Sequence, residues 1–232
     1  MRPVQELIHR EEPAWPLVQE LATQVPGRCV VHPASADAET VLYQTQVTTR
    51  SPLGAIAYHS GGISIDHGWL RILGSGSPAI SRTLPGWNKG RARGCYLVAD
   101  DAVGGFFAID GGGLGLCQCE GQICYLSPKS ASRGQSQEWE PLGVGYSGFL
   151  QWACTGFGKF YDDLRWPGWE AQTEALGPDR CFFFSPPLWA KDCDLAAGPG
   201  LGSRGGVGVG VSVPVEEAWG MRVEVGRFVG GR

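Results

Sequence analysis

The chain reads as an α+β protein, and three observations predict that class. Two N-terminal segments carry helical patterning, a central stretch forms a local antiparallel hairpin, and aromatic residues return at helical spacing from Tyr146 onward. The hairpin is Gly94–Gly113, GCYLVADDAVGGFFAIDGGG. Cys95–Ala99 is an apolar run with aromatic and branched residues, Asp100-Asp101 supplies a break, and Gly105–Ile109 returns as the second strand.

Taken in order, Leu7–Val25 gives a short leading turn and then a helix from about Trp15 to Val25, with Pro16 tolerated in its first turn. Ser35–Gln46 predicts a second helix. Ser35 is a suitable cap, Asp37 and Glu39 suit the positive end of the helix dipole, and Val41, Leu42 and Thr45 share a face. Ala55–Tyr58, Ile63–Asp66 and Trp69–Leu73 then read as short strands. Gly61-Gly62 and His67-Gly68 separate them as tight turns that need positive φ. Leu84–Gly94 reads as a loop rich in glycine and basic residues.

Beyond the hairpin, Ile123–Leu126 and Trp139–Leu142 predict two strands around a polar loop, Lys129–Gln137. Tyr146–Cys154 and Phe157–Leu164 predict helices, and Gly168–Leu176 one more turn or two; Cys181–Phe184 is an apolar stretch without an assigned role. Gly198–Gly210 is low-complexity GPGLGSRGGVGVG, which buries too little apolar surface to offset its backbone entropy. The expected organisation is one domain over 1–197, a flexible insert over 198–210, and a C-terminal segment, 211–232, in which Val213–Trp219 docks back.

Composition narrows the function classes. A chain of 232 residues with 43% hydrophobic content can bury a proper core, while 36 glycines are about twice average usage. A formal charge of −4 without a basic cluster argues against nucleic-acid binding. The N-terminal MRPVQELIHREEPAWP is charged throughout and lacks the apolar core of a signal peptide, and no run is apolar enough for a membrane span. The eight cysteines are therefore expected to be reduced thiols of a soluble cytoplasmic protein.

Each candidate site has a plainer alternative. Cys117, Cys119 and Cys124 offer three zinc ligands where a structural site wants four, and the fourth would have to come from Cys95 or a histidine across the sheet. Ordinary strand and loop thiols are the simpler reading, with no metal and no cofactor. Asp100 and Asp101 could serve as an acid–base pair, but adjacent turn aspartates usually cap backbone amides. Gly111–Gly115 lacks both the Lys-Ser/Thr of a phosphate loop and a following helix, and Ser75 and Ser77 lack a nucleophile-elbow context. His9, His32, His59 and His67 show no ligand or triad spacing. Among the aromatics, Trp152 and Tyr161 suit core packing, whereas Arg165-Trp166 and Trp169 suit a partner or ligand surface. No catalytic residue is assigned.

Three strings, Gln46–Ser77, Leu97–Gly115 and Phe160–Glu170 (FYDDLRWPGWE), together resemble an uncharacterised family, domain of unknown function 2625, across ordered blocks from Pro3 to Trp189. Val213–Trp219 resembles its C-terminal block. The order Gly104–Gly113, Ile123–Leu126, Glu138–Leu142 and Tyr146–Trp152 also resembles the core of the SUKH superfamily. That resemblance implies a single antiparallel β-sheet flanked by N-terminal and C-terminal helices. It further implies relatives that act as bacterial immunity proteins against toxin domains or in fungal cell-wall signalling, with no catalytic set.

The first functional expectation is therefore a non-enzymatic protein-interaction module with a protein partner. The alternative is a small-molecule binder or hydrolase built from Asp100, Asp101 and Asp110 near the glycine turn, with Arg71 or Arg165 as anion partner. A zinc-stabilised structural protein is the third class.

Overall fold

The computed structural model describes residues 1–91, 93–129, 139–185, 188 and 209–229. Seven strands form an antiparallel meander in chain order: β1 (Cys29–Pro33), β2 (Ser60–Ile65), β3 (Leu70–Leu73), β4 (Cys95–Asp101), β5 (Phe106–Asp110), β6 (Ile123–Leu126) and β7 (Trp139–Pro141). The helices are α1 (Val4–Leu7), α2 (Trp15–Thr23), α3 (Ala38–Thr45), α4 (Pro52–His59), α5 (Leu84–Asn88), α6 (Tyr146–Thr155), α7 (Trp169–Glu174) and α8 (Val215–Val229). Helices together with this antiparallel sheet make the class α+β. A second sheet is present as well: β8 (Arg180–Ser185) pairs with β9 (Val209–Pro214), so the expected single sheet is corrected to two.

Register decides what each face of the large sheet carries. Successive side chains alternate between faces, so cross-strand partners share one. Val31, Ile63, Ile72 and Ala99 align across β1–β4 and join α2, α4 and α6 in one apolar core. Each fully buried Ile or Leu in such a row contributes ~1.5–3 kcal/mol. The other row is Val30, Ser64, Arg71 and Asp100, with His32 two residues along β1.

Several local expectations meet their structure here. The β2–β3 turn takes Asp66, His67 and Gly68 through positive φ (54°, 60°, 82°), as the His67-Gly68 pair predicts. Gly61 and Gly62, in contrast, lie inside β2 and make no turn. Ala55–Tyr58 is helical: Pro52 opens α4, and the Ser51 hydroxyl accepts from the Gly54 amide at 3.1 Å. The supposed loop from Leu84 holds α5, capped by Thr83. Ser35 caps nothing, because its hydroxyl donates to the Ser75 carbonyl at 2.7 Å and Asp37 holds the cap position of α3. Phe157–Leu164 forms turns rather than a helix, following Gly156 (φ 148°) and Gly158 (φ 55°).

The polar loop expected at Lys129–Gln137 falls, after Lys129, outside the described residues, as does the Gly-rich stretch over 198–208. Val215, Ala218 and Trp219 are buried, and the Trp219 ring meets Phe106 edge-on at 5.0 Å. Among the described residues, no helix is long and apolar enough to cross a membrane.

Candidate functional site

β4 does not stop at its aspartates. It runs through Asp101, and the turn to β5 is made by Ala102–Gly105. Both carboxylates are fully buried, which requires partners for each. Asp100 has two arginines: Arg71 Nη2 lies 2.5 Å from Oδ1 and Arg82 Nη1 lies 2.6 Å from Oδ2. Arg82 also reaches Asp179 at 2.6 Å, and Asp179 accepts from the Ser81 amide at 3.0 Å. Burial alone would push the Arg82 pKa down, but the charges and hydrogen bonds of Asp100 and Asp179 carry it up, so its cation is secure.

Asp101 is satisfied differently. Its Oδ1 accepts from the amides of Val103 (3.1 Å) and Gly105 (2.7 Å), which is the turn capping expected of it. Its Oδ2 accepts from the Tyr125 hydroxyl at 2.7 Å and the Tyr161 hydroxyl at 3.3 Å. Residue 105 must be glycine, because a Cβ there would lie 2.3 Å from Asp101 Oδ2 and 2.4 Å from the Tyr125 oxygen. Burial raises the Asp101 pKa against the opposing pull of Tyr125 and the two amides.

Asp110 lies at the far end of β5, opposite Cys95, where its Oδ1 accepts from Gly112 at 2.8 Å and Leu114 at 3.4 Å. The three aspartates therefore do not converge. Arg71 and Asp100 do meet, and Asp101 joins them only through its backbone carbonyl, 3.4 Å from Arg71 Nη2.

The aromatic band also folds inward. Trp166 is 2% exposed, packs edge-on against Phe182 and Phe184, and donates from Nε1 to Gln172 at 3.1 Å. The Arg165 guanidinium pairs with Asp66 and lies 3.9 Å from the Trp169 ring and 4.9 Å from Trp69. Trp166 is thus a core residue, and Arg165 is already engaged on its charge and its face.

Cys117 is exposed, and the Cys119 thiol donates to the Cys117 carbonyl at 3.4 Å. Burial and the Asp110 charge push Cys95 and Cys124 up to about 11. Among the described residues, no group of three or more His, Cys, Asp or Glu side chains could hold a metal ion.

A concavity lies on the second face of β1–β3. It is a cleft of about 440 Å³ between that face and the chain leaving α7. Arg28, His32, Ser64, His67, Arg71 and Glu174 supply its polar lining, with Val30 and Pro178 among the apolar groups. Arg71 is pinned by Asp100 and by donation to the Arg180 carbonyl at 2.5 Å. Arg28 is held loosely by Asp66 at 3.5 Å and donates from Nε to the Ala153 carbonyl at 3.1 Å. Glu174 is taken by His67 at 2.6 Å. Among the described residues Arg28 Nη2 and Thr173 Oγ1 have no hydrogen-bond partner, and both residues line the cleft.

His32 Nε2 lies 2.7 Å from Ser64 Oγ, and burial lowers the His32 pKa, so the imidazole is neutral at pH 7. This is a nucleophile–base contact in geometry, yet no carboxylate pairs with His32 among the described residues. Of the cleft residues the sequence offers only Arg71 as a binding residue, while His32 and His67 show no ligand or triad spacing there. Alternation within CVVHP and SGGISI marks Val30, His32 and Ser64 as second-face positions, but only the strand register places them beside Arg71.

Fold and site together define an α+β protein with a polar cleft on the outer face of an antiparallel meander. The chain belongs to the family described as Protein of unknown function DUF2625, which it matches over residues 4–198. It is 39% identical over 196 residues to the uncharacterised protein YbfG of Escherichia coli (strain K12), covering 82% of this chain and 87% of that protein. It is 36% identical over 197 residues to an uncharacterised protein of Haemophilus influenzae (strain ATCC 51907 / DSM 11121 / KW20 / Rd), covering 81% and 83%. No solved structure matches it significantly. The SUKH likeness draws no support from these matches. β9 and α8 lie beyond the stretch matched by the family.

Proposed function

We propose that the protein is a non-enzymatic binding module whose cleft takes a small anionic ligand bearing a carboxylate or phosphate group. One observation carries this reading: two arginines from different elements, Arg28 and Arg71, open onto one cleft of about 440 Å³. That volume lies in the range of small-ligand sites. The cleft's single lining carboxylate, Glu174, is already paired with His67. Arg71 is held in place before any ligand arrives, which lowers the ordering cost of binding. Ser64, His32 and Thr173 add neutral hydrogen-bonding groups that orient an oxyanion.

Binding by this cleft is favoured over a partner surface at Arg165–Trp169 because Trp166 is buried and packs against Phe182 and Phe184. It is favoured over a hydrolase built on Asp100, Asp101 and Asp110 because those carboxylates are spread over two ends of a hairpin. Calorimetric titration with inorganic phosphate and with short mono- and dicarboxylates is the test. The proposal expects saturable one-to-one binding of at least one of them, weakened about tenfold or more by Arg28→Gln, since a hydrogen bond to a charged group contributes ~1.5–3 kcal/mol. Heats that never saturate across the panel, or that ignore Arg28→Gln, overturn it.

A further inference from the structure

Strand register sets His32 beside Ser64, 32 positions further along the chain. Val30 of β1 lies opposite Ser64 of β2, and His32 follows two residues along β1 on the same face. From there His32 Nε2 lies 2.7 Å from Ser64 Oγ, within the reach of about 2.6–3.2 Å expected of a nucleophile and its base. Arg71 of β3 stands opposite Ser64 on its other side. Arg71 is 5% exposed, and its Nε has no hydrogen-bond partner among the described residues. All three residues line the cleft, and His32 and Ser64 are half-buried there. The other histidines are engaged elsewhere: His9 Nδ1 accepts from the Glu12 amide at 3.3 Å, His59 stacks on Trp15 and His67 pairs with Glu174.

We propose that Ser64 is a covalent acylation site, with His32 as its general base and an acyl phosphate as the donor. The proposal rests on the anion cleft argued above, which holds the donor's phosphate. With its own proton on Nδ1, His32 accepts from the Ser64 hydroxyl through Nε2. Ser64 Oγ attacks the acyl carbon, and its proton passes to His32 Nε2. The Oγ–C bond forms, the C–O bond to phosphate breaks, and the phosphate leaves with the proton that His32 gives back. The products are a Ser64 ester and inorganic phosphate, and nothing is oxidised or reduced.

The donor class follows from the strength of this pair. Burial lowers the His32 pKa, so the imidazole is a free base at neutral pH. No carboxylate orients it among the described residues, so it works without the third member of a triad. Such a pair needs an acyl carbon already activated by a good leaving group. Phosphate supplies that activation and carries the charge that Arg28 and Arg71 answer. One acyl group per chain is the product, in keeping with a binding module rather than a turnover enzyme.

The test uses acetyl phosphate on the folded full-length protein, with intact-mass measurement and peptide mapping. The proposal expects one acetyl group on Ser64, absent in Ser64→Ala and added ~10²-fold more slowly in His32→Gln, the lower range of general-base catalysis. Excess inorganic phosphate is expected to slow labelling of Ser64 and to leave acetylation of surface lysines unchanged. Acetylation confined to lysines and the N-terminus overturns the proposal, as does labelling of Ser64 that ignores His32→Gln or inorganic phosphate. Saturable phosphate binding by calorimetry alongside an unlabelled Ser64 overturns this inference alone and leaves the cleft reading in place. The wild-type map needs no variant to fold.

Discussion

The Arg71 guanidinium meets the Asp100 carboxylate at 2.5 Å across a register pair that joins β3 to β4. Asp100 is 0% exposed and also holds Arg82 at 2.6 Å, so one carboxylate neutralises the ends of two buried arginines. Removing its charge leaves Arg71 without its carboxylate and Arg82 with Asp179 alone. Asp100→Asn keeps the shape and is expected to lower unfolding stability by ~3–5 kcal/mol in denaturant titrations, the range for breaking a buried ion pair from one side. Loss below ~1 kcal/mol would mean that the arginines find other partners or water.

Tyr125 makes a more selective prediction. Its hydroxyl donates to Asp101 Oδ2 at 2.7 Å inside the core. Tyr125→Phe is expected to cost ~1.5–3 kcal/mol near neutral pH, because the lost bond serves a buried carboxylate. The pH dependence follows from the direction of the Asp101 shift. Burial raises its folded pKa above the ordinary value, and the Tyr125 hydrogen bond opposes that rise. Stability from Asp101 is therefore full below the ordinary carboxylate pKa and is lost as pH climbs through the raised one. Removing Tyr125 raises that pKa further, so the gap between wild type and variant widens with rising pH. Denaturant melts from about pH 4 to pH 7 measure it, and a gap that narrows upward contradicts the assignment.

The C-terminal helix supplies a third prediction. Trp219 is 8% exposed and rests edge-on against Phe106, while Arg222 donates to the Ser127 carbonyl at 3.2 Å. Trp219→Ala is expected to cost ~3–5 kcal/mol, as for other core Trp truncations. It should also make the segment beyond Pro214 the first site of limited proteolysis. Unchanged stability would mean that α8 adds little to the core it covers.

How much of this was legible in the sequence differs from element to element. The Cys95–Ala99 and Phe106–Ile109 strands carry a local signal, and so does the positive-φ turn at His67-Gly68, because both depend on near neighbours. Ala55–Tyr58 misleads: a short apolar run fits a strand or a buried helix equally, and the decisive cue is the Ser51-Pro52 cap just before it. Asp100 misleads for another reason. Two adjacent aspartates look like turn chemistry, yet the residues that make Asp100 a core anion, Arg71 and Arg82, come from outside the hairpin. The cleft was the least legible feature. Arg28, Ser64 and Thr173 are ordinary residues in sequence, and only the β1–β2–β3 register and the return of α7 set them around one space.

The central claim is that this space binds an anion. Its most direct test is a two-dimensional NMR titration of the folded protein with the phosphate or carboxylate that binds tightest by calorimetry, following the Arg28 and Arg71 guanidinium signals and the Ser64 and Thr173 amides. Saturable shifts are expected at these four residues, lost in Arg28→Gln, with the rest of the spectrum unchanged. Shifts that fail to saturate, or that map away from the cleft, would contradict it.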